Sequence, residues 1–70
     1  MITEMNNTLP FTSNREIFLA LTEVTQENVF RFALKLVKSL NSGVVTAEQF
    51  DGHVELFERH CKDEGIDTRF

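Results

Sequence analysis

Apolar and polar positions along most of this chain recur with the period of an α-helix. Three segments carry apolar residues at spacings of three and four, and each follows a residue that favours helix N-termini. The pattern predicts an all-α domain whose helices lie at about residues 13–24, 25–41 and 46–64. Helices two and three are expected to form an antiparallel, helix-turn-helix-like hairpin. The domain is expected to span residues 13–65, with an extended N-terminal arm over residues 1–12 and a short tail over residues 66–70.

The helix boundaries rest on local signals. In a capping box, a Ser or Thr side chain and the side chain three residues later each accept a hydrogen bond from a backbone N–H. Three pairs have this spacing: Ser13 with Glu16, Thr25 with Asn28, and Thr46 with Gln49. The second pair lacks Glu or Gln and is the weakest, but it predicts that helix two begins near residue 26. Gly43 and Gly65 suit the left-handed conformation that ends many helices.

The width of the apolar surface differs between the helices. Helix two carries an apolar arc of roughly 200°, wider than a single-sided stripe, so we expect helices one and three to cover it from two sides. The arc consists of Val29, Phe30, Phe32, Ala33, Leu34, Leu36, Val37 and Leu40. Leu9 and Phe11 of the arm are expected to cover the bundle. Leu19 and Leu56 fall outside their own apolar arcs and, with Ile66 and Phe70, predict an exposed apolar patch.

Charge is unevenly distributed along the chain. The 70 residues include 11 acidic and 7 basic side chains, for a net charge of -4. Residues 25–45 carry three basic side chains and one acidic, whereas residues 46–70 carry seven acidic and three basic. Two rows at helical spacing result: a basic row of Arg31, Lys35 and Lys38, and an acidic row of Glu48, Asp51, Glu55 and Glu58. The acidic row is either a solvated face or a docking surface for a basic partner or for the basic row of a second copy.

The sequence gives little support for a catalytic site or a metal-binding site. The residues that resemble soft-metal ligands are His53, His60 and Cys61. Two histidines seven residues apart on a helix lie about 10 Å apart along its axis, too far to chelate one ion together. Adjacent helical residues point about 100° apart, so His60 is poorly placed to activate Cys61. We expect Cys61 to be a buried small hydrophobe and the histidines to flank the core with one nitrogen in water, and we expect no enzyme, no metal and no cofactor.

Length and composition favour a small interaction protein of the cytoplasm. No apolar run is long enough for a signal peptide or a membrane span, and one cysteine cannot form an internal disulfide. Seventy residues sit near the lower size limit for folding alone, so a protein partner or a homodimer is expected. We predict a non-catalytic regulator or inhibitor, of the kind found among bacterial and bacteriophage accessory proteins, with no small-molecule substrate and no membrane partner. It is expected to bind a protein partner through an apolar patch edged by charge, with Leu19, Leu56 and the acidic row as the candidate binding residues.

The alternative class is a nucleic-acid-related regulator. In one form, a dimer joins its basic rows into a DNA-binding surface. In the other, the acidic row imitates a phosphate backbone and occupies a nucleic-acid-binding protein. An acidic chain without a Lys/Arg tract makes direct nucleic-acid binding the less favoured hypothesis.

Overall fold

Three helices build the domain, as the periodicity predicts. The computed structural model describes residues 9–68, in which α1 spans Asn14–Leu21, α2 spans Val29–Asn41 and α3 spans Ala47–Glu64. No strand occurs among these residues, so the all-α prediction is confirmed. Each helix packs against the other two. The antiparallel sense of the hairpin and the dimer stay predictions.

The clearest sequence signals act as expected. Thr46 and Gln49 form a complete capping box at the start of α3, with hydrogen bonds of 2.9 and 3.1 Å. Gly43 follows α2 with φ +82°, and Gly65 ends α3 with φ +71°. The residue after each glycine donates its N–H to a carbonyl five positions back, which closes the helix end and turns an apolar side chain onto the core.

The connection between α1 and α2 is longer than predicted. α1 ends at Leu21 rather than near residue 24, and α2 begins at Val29 rather than near residue 26. Asn28 explains the difference, because its side-chain oxygen accepts from the Thr25 N–H at 2.7 Å and its amide donates to the Glu23 carbonyl at 3.2 Å. The predicted pair therefore closes a turn and does not start a helix.

The predicted box at the start of α1 is half formed. Ser13 Oγ accepts from the Glu16 N–H at 3.2 Å, as a helix cap does. The Glu16 carboxylate, however, accepts from the backbone N–H and the hydroxyl of Thr12. These two hydrogen bonds lower the pKa of the exposed Glu16 carboxyl and fix the end of the arm to the first turn of α1.

Aromatic side chains at the centre of the core join the arm to α2 and α3. The rings of Phe32 and Phe57 are stacked with centroids 5.1 Å apart, and Phe11 packs on Phe32 at 5.4 Å. Around them lie the other buried apolar side chains, which are Ile17, Leu21, Val24, Val29, Leu36, Val45 and Cys61. Phe11 therefore covers the bundle as expected, whereas Leu9 is 72% exposed and does not.

α2 packs against both α1 and α3, as expected, but these helices cover only part of its predicted apolar arc. Its buried positions are Val29, Phe32, Leu36 and Ser39, which recur at spacings of three and four and so form a single face. Phe30 and Val37 remain 48% and 44% exposed. α1 and α3 therefore pack on one face of α2, and the side that carries Phe30 and Val37 is left about half accessible.

The expected patch of exposed residues is only partly present. Leu19 is 60% exposed on α1. Leu56 and Ile66 are half-buried and pack against the core, so both leave the predicted patch. Ile66 is drawn in by the Gly65 turn, and the following residue, Asp67, exchanges two hydrogen bonds with the Gln26 side chain. Phe70 lies outside the described residues. Within them, no helix is long and apolar enough to cross a membrane.

Candidate functional site

The outer face of α2 carries two parallel rows of different chemistry. The basic row contains Arg31, which is exposed, and Lys35 and Lys38, which are half-buried. One residue before each of these lies an apolar side chain, and we call Phe30, Leu34 and Val37 the α2 strip. A shift of one residue rotates a helical position by about 100°, so the strip runs beside the row for about two turns. The structure thus presents an apolar strip with a cationic border.

A groove opens on the other side of the basic row, between the arm, α1 and α2. Its volume is about 150 Å³. The apolar part of its wall is formed by Phe11, Ala20, Val24 and Phe32. Arg31 and Lys35 contribute cations from α2, and Glu23 contributes a carboxylate from the end of α1. Two residues of the predicted basic row therefore belong to an apolar groove, which the sequence pattern does not reveal.

The wall of this groove is held in place by Ser39. This residue is fully buried in α2, where its hydroxyl donates to the Lys35 carbonyl at 2.8 Å and accepts from the Phe11 N–H at 2.8 Å. Lys35 Nζ lies 4.7 Å from the centroid of the Phe11 ring, a cation–π contact. Ser39 is the one polar residue in the buried face of α2. A polar residue at an otherwise apolar, buried position is a sequence signal that a hydrogen bond is made there.

The acidic row lies on a different surface. Glu48, Asp51, Glu55 and Glu58 are all exposed along α3, as predicted. The large apolar side chains that are exposed in the described residues lie in the arm, α1 and α2, and none lies on α3. The acidic row therefore has no large apolar surface beside it.

His53 is a buried titratable side chain on α3. It is 7% exposed between α3 and α1, with Nε2 2.7 Å from Asn14 Oδ1 and the Phe18 ring edge-on at 5.9 Å. Nδ1 is buried without a hydrogen-bond partner, so the expectation of a nitrogen in water is wrong for this residue. Burial lowers the pKa of His53, because the charged imidazolium loses its hydration.

The neighbouring His60 and Cys61 have structural roles. His60 is half-buried and Nε2 lies 3.1 Å from the Val24 carbonyl, which ties α3 to the connection between α1 and α2. Cys61 is 2% exposed, and burial, with a contribution from the Glu58 carboxylate, raises the pKa of its thiol. In residues 9–68 no group of three His, Cys, Asp or Glu side chains is placed to hold a metal ion. The expectation that Cys61 is a buried small hydrophobe is confirmed.

Comparisons with known proteins add no relative to this picture. No protein-family model, no curated protein and no solved structure matches the chain.

Proposed function

We propose that this chain is a non-catalytic protein-interaction module, a small regulator or inhibitor that binds an acidic amphipathic helix of a partner protein. The binding surface is the α2 strip together with the basic row. The proposal rests on the exposure of Phe30 and Val37, whose side chains are about half accessible on the outer face of α2. Covering apolar surface contributes about 25 cal/mol per Å², so a partner that buries this strip gains affinity.

The charges beside the strip select the partner. A helix with apolar residues at spacings of three and four, and carboxylates in the adjacent positions, matches both rows over about 10 Å. Exposed ion pairs contribute at most about 1 kcal/mol each. The apolar strip therefore supplies most of the affinity, and the basic row sets the sign of charge and the orientation of the partner.

A second copy of the chain fits this surface less well. Antiparallel pairing of α2 with itself places the two basic rows against each other, which is repulsive. The acidic row of a second copy has the matching spacing, because Asp51, Glu55 and Glu58 repeat the four-three pattern of the basic row. No large apolar side chain is exposed beside the acidic row, so such a contact would leave the α2 strip in water. A partner helix with its own apolar face covers both the α2 strip and the basic row.

The test compares variants of two exposed apolar sites. Affinity capture from nuclease-treated source-cell lysate uses three tagged proteins: the wild type, the double variant Phe30→Ser/Val37→Ser and the control Leu19→Ser. We expect one protein to be retained by the wild type and the control and lost by the α2 variant, with proteolytic footprinting placing the contact on an acidic amphipathic helix. Equal retention by all three proteins, or no retained protein, contradicts the proposal. Circular dichroism verifies that each variant is folded.

The nucleic-acid alternative is tested with the same proteins. A gel-shift assay at low salt measures binding to duplex DNA by the wild type and by Lys35→Glu/Lys38→Glu. A shift that the double variant abolishes, and that weakens steeply with salt, would replace the proposal with a DNA-binding function. We expect no shift by either protein.

A further inference from the structure

We infer that the groove beside the basic row is an anchor pocket that receives one aromatic or leucine side chain from the acidic partner helix. This inference rests on the proposed function, because Arg31 and Lys35 belong both to the groove and to the basic row. A partner helix whose carboxylates face the row brings the neighbouring side chains of that helix to the mouth of the groove.

The volume of the groove determines what it can hold. About 150 Å³ is the size of a cavity that binds one benzene molecule in an engineered protein core. Pockets for drug-sized ligands and cofactors are about 300–1,000 Å³. The groove therefore suits one phenyl ring or one leucine side chain, and it is too small for a nucleotide.

The charges at the groove specify the neighbourhood of the anchor. The Lys35 ammonium is held above the Phe11 ring, and Arg31 lies one turn earlier on the same helix. These two cations outnumber Glu23, the one carboxylate in the lining of the groove. A carboxylate within one turn of the anchor can meet either cation while the ring contacts the apolar wall. The expected motif is thus a Phe or Leu with an Asp or Glu three or four residues away.

The wall of the groove is already ordered before a partner binds. Phe11 is fixed through its backbone by Ser39, and Thr12 is fixed by the Glu16 carboxylate. A pocket that is formed in advance loses little conformational entropy on binding. This is the arrangement expected of an anchor site, where one buried side chain contributes much of the affinity.

The experiment selects ligands from a phage-displayed library of random 16-residue peptides. The targets are the wild type, Ala20→Phe, which fills the groove from its α1 side, and the matched control Ala47→Phe on the exposed start of α3. We expect the wild type and the control to enrich peptides with an aromatic or leucine residue near Asp or Glu. Affinity of these peptides, measured by fluorescence anisotropy, should fall at least tenfold for Ala20→Phe.

A second pair of variants keeps the test decisive if Ala20→Phe folds poorly. Arg31→Glu reverses an exposed cation at the groove, and Lys62→Glu makes the same change on α3. Selected peptides should lose affinity only for Arg31→Glu. The anchor pocket is refuted if the selected peptides bind Ala20→Phe and Arg31→Glu as tightly as they bind the wild type. If they nevertheless bind Phe30→Ser/Val37→Ser more weakly in the same assay, the proposed function still stands. Absence of acidic apolar peptides among those selected refutes both.

A free small molecule is the competing occupant. Titration with 3-phenylpropionate, followed by NMR shifts of the Phe11 and Ala20 amides, measures whether a lone aromatic carboxylate fills the groove. Micromolar binding of this compound without any enriched peptide would show a small-molecule site and overturn the inference.

Discussion

Replacing Ser39 with alanine should detach the arm from α2 with little change in shape. Ser39 is fully buried, and its hydroxyl is the acceptor for the Phe11 N–H at 2.8 Å. Alanine removes this acceptor and leaves a buried backbone donor without a partner. The substitution therefore removes one contact between residues 28 positions apart, together with the local hydrogen bond from the Ser39 hydroxyl to the Lys35 carbonyl.

The expected magnitude follows from two opposing effects. An unsatisfied buried donor costs about 1–3 kcal/mol. Alanine is the better helix former, so the substitution stabilises the interior of α2 by about 0.5 kcal/mol. The net loss is about 0.5–2.5 kcal/mol, up to half of the roughly 5 kcal/mol that a domain of this size has available.

Urea denaturation followed by circular dichroism at 222 nm measures the loss. With a slope of about 1 kcal/mol per molar urea, the midpoint should fall by about 0.5–2.5 M. Ser42→Ala is the matched control, because Ser42 is exposed at the end of the same helix and its change should stay within about 0.5 kcal/mol. Hydrogen exchange of the Phe11 amide should accelerate in Ser39→Ala alone. A midpoint for Ser39→Ala equal to that of the wild type would refute the argument.

Further predictions concern the core, the buried histidine and two glycines. Leu36→Ala should cost about 2–5 kcal/mol because Leu36 is 2% exposed, and thermal unfolding that is unchanged would contradict its central place. Burial lowers the pKa of His53, so the stability that this residue contributes is fully present above the ordinary pKa near 6.5 and is lost as the pH falls toward the pKa of the folded state. Denaturation midpoints should therefore decline between pH 7 and pH 5 in the wild type and decline less in His53→Gln. Gly52 lies within α3 with open space around it, so Gly52→Ala should stabilise by about 0.5–1 kcal/mol. Gly65→Ala should destabilise by about 1 kcal/mol because of its positive φ, and equal melting temperatures for the two glycine variants would contradict this assignment.

Features that depend on a few neighbouring residues could be predicted from the sequence. The capping box at Thr46 and the glycine ends of α2 and α3 involve residues within one or two turns, so their spacing already contains the geometry. Asn28 shows the limit of such signals. The same side chain can cap a helix or close a turn, and the choice depends on the packing of Val24 and Val29 around it.

Features that depend on distant residues could not be predicted. The sequence gives the width of the apolar arc of α2, but its periodicity does not determine whether residues of this chain or of another molecule pack against that arc. His53 occupies a core position although its residue type is usually more exposed, and its partner Asn14 is 39 residues away. The groove also depends on an arm that has no periodicity of its own and is placed by its contact with Ser39.

The burial of Cys61 gives the protein a chemical probe of its own opening. A thiol that is 2% exposed and whose pKa is raised reacts with a disulfide reagent only after α3 separates from the core. The labelling rate at low reagent concentration therefore measures the population of open molecules, with no added fluorophore and no denaturant. If a bound partner slows this reaction, the extent of slowing gives the coupling between binding and the opening of α3 in a single kinetic trace.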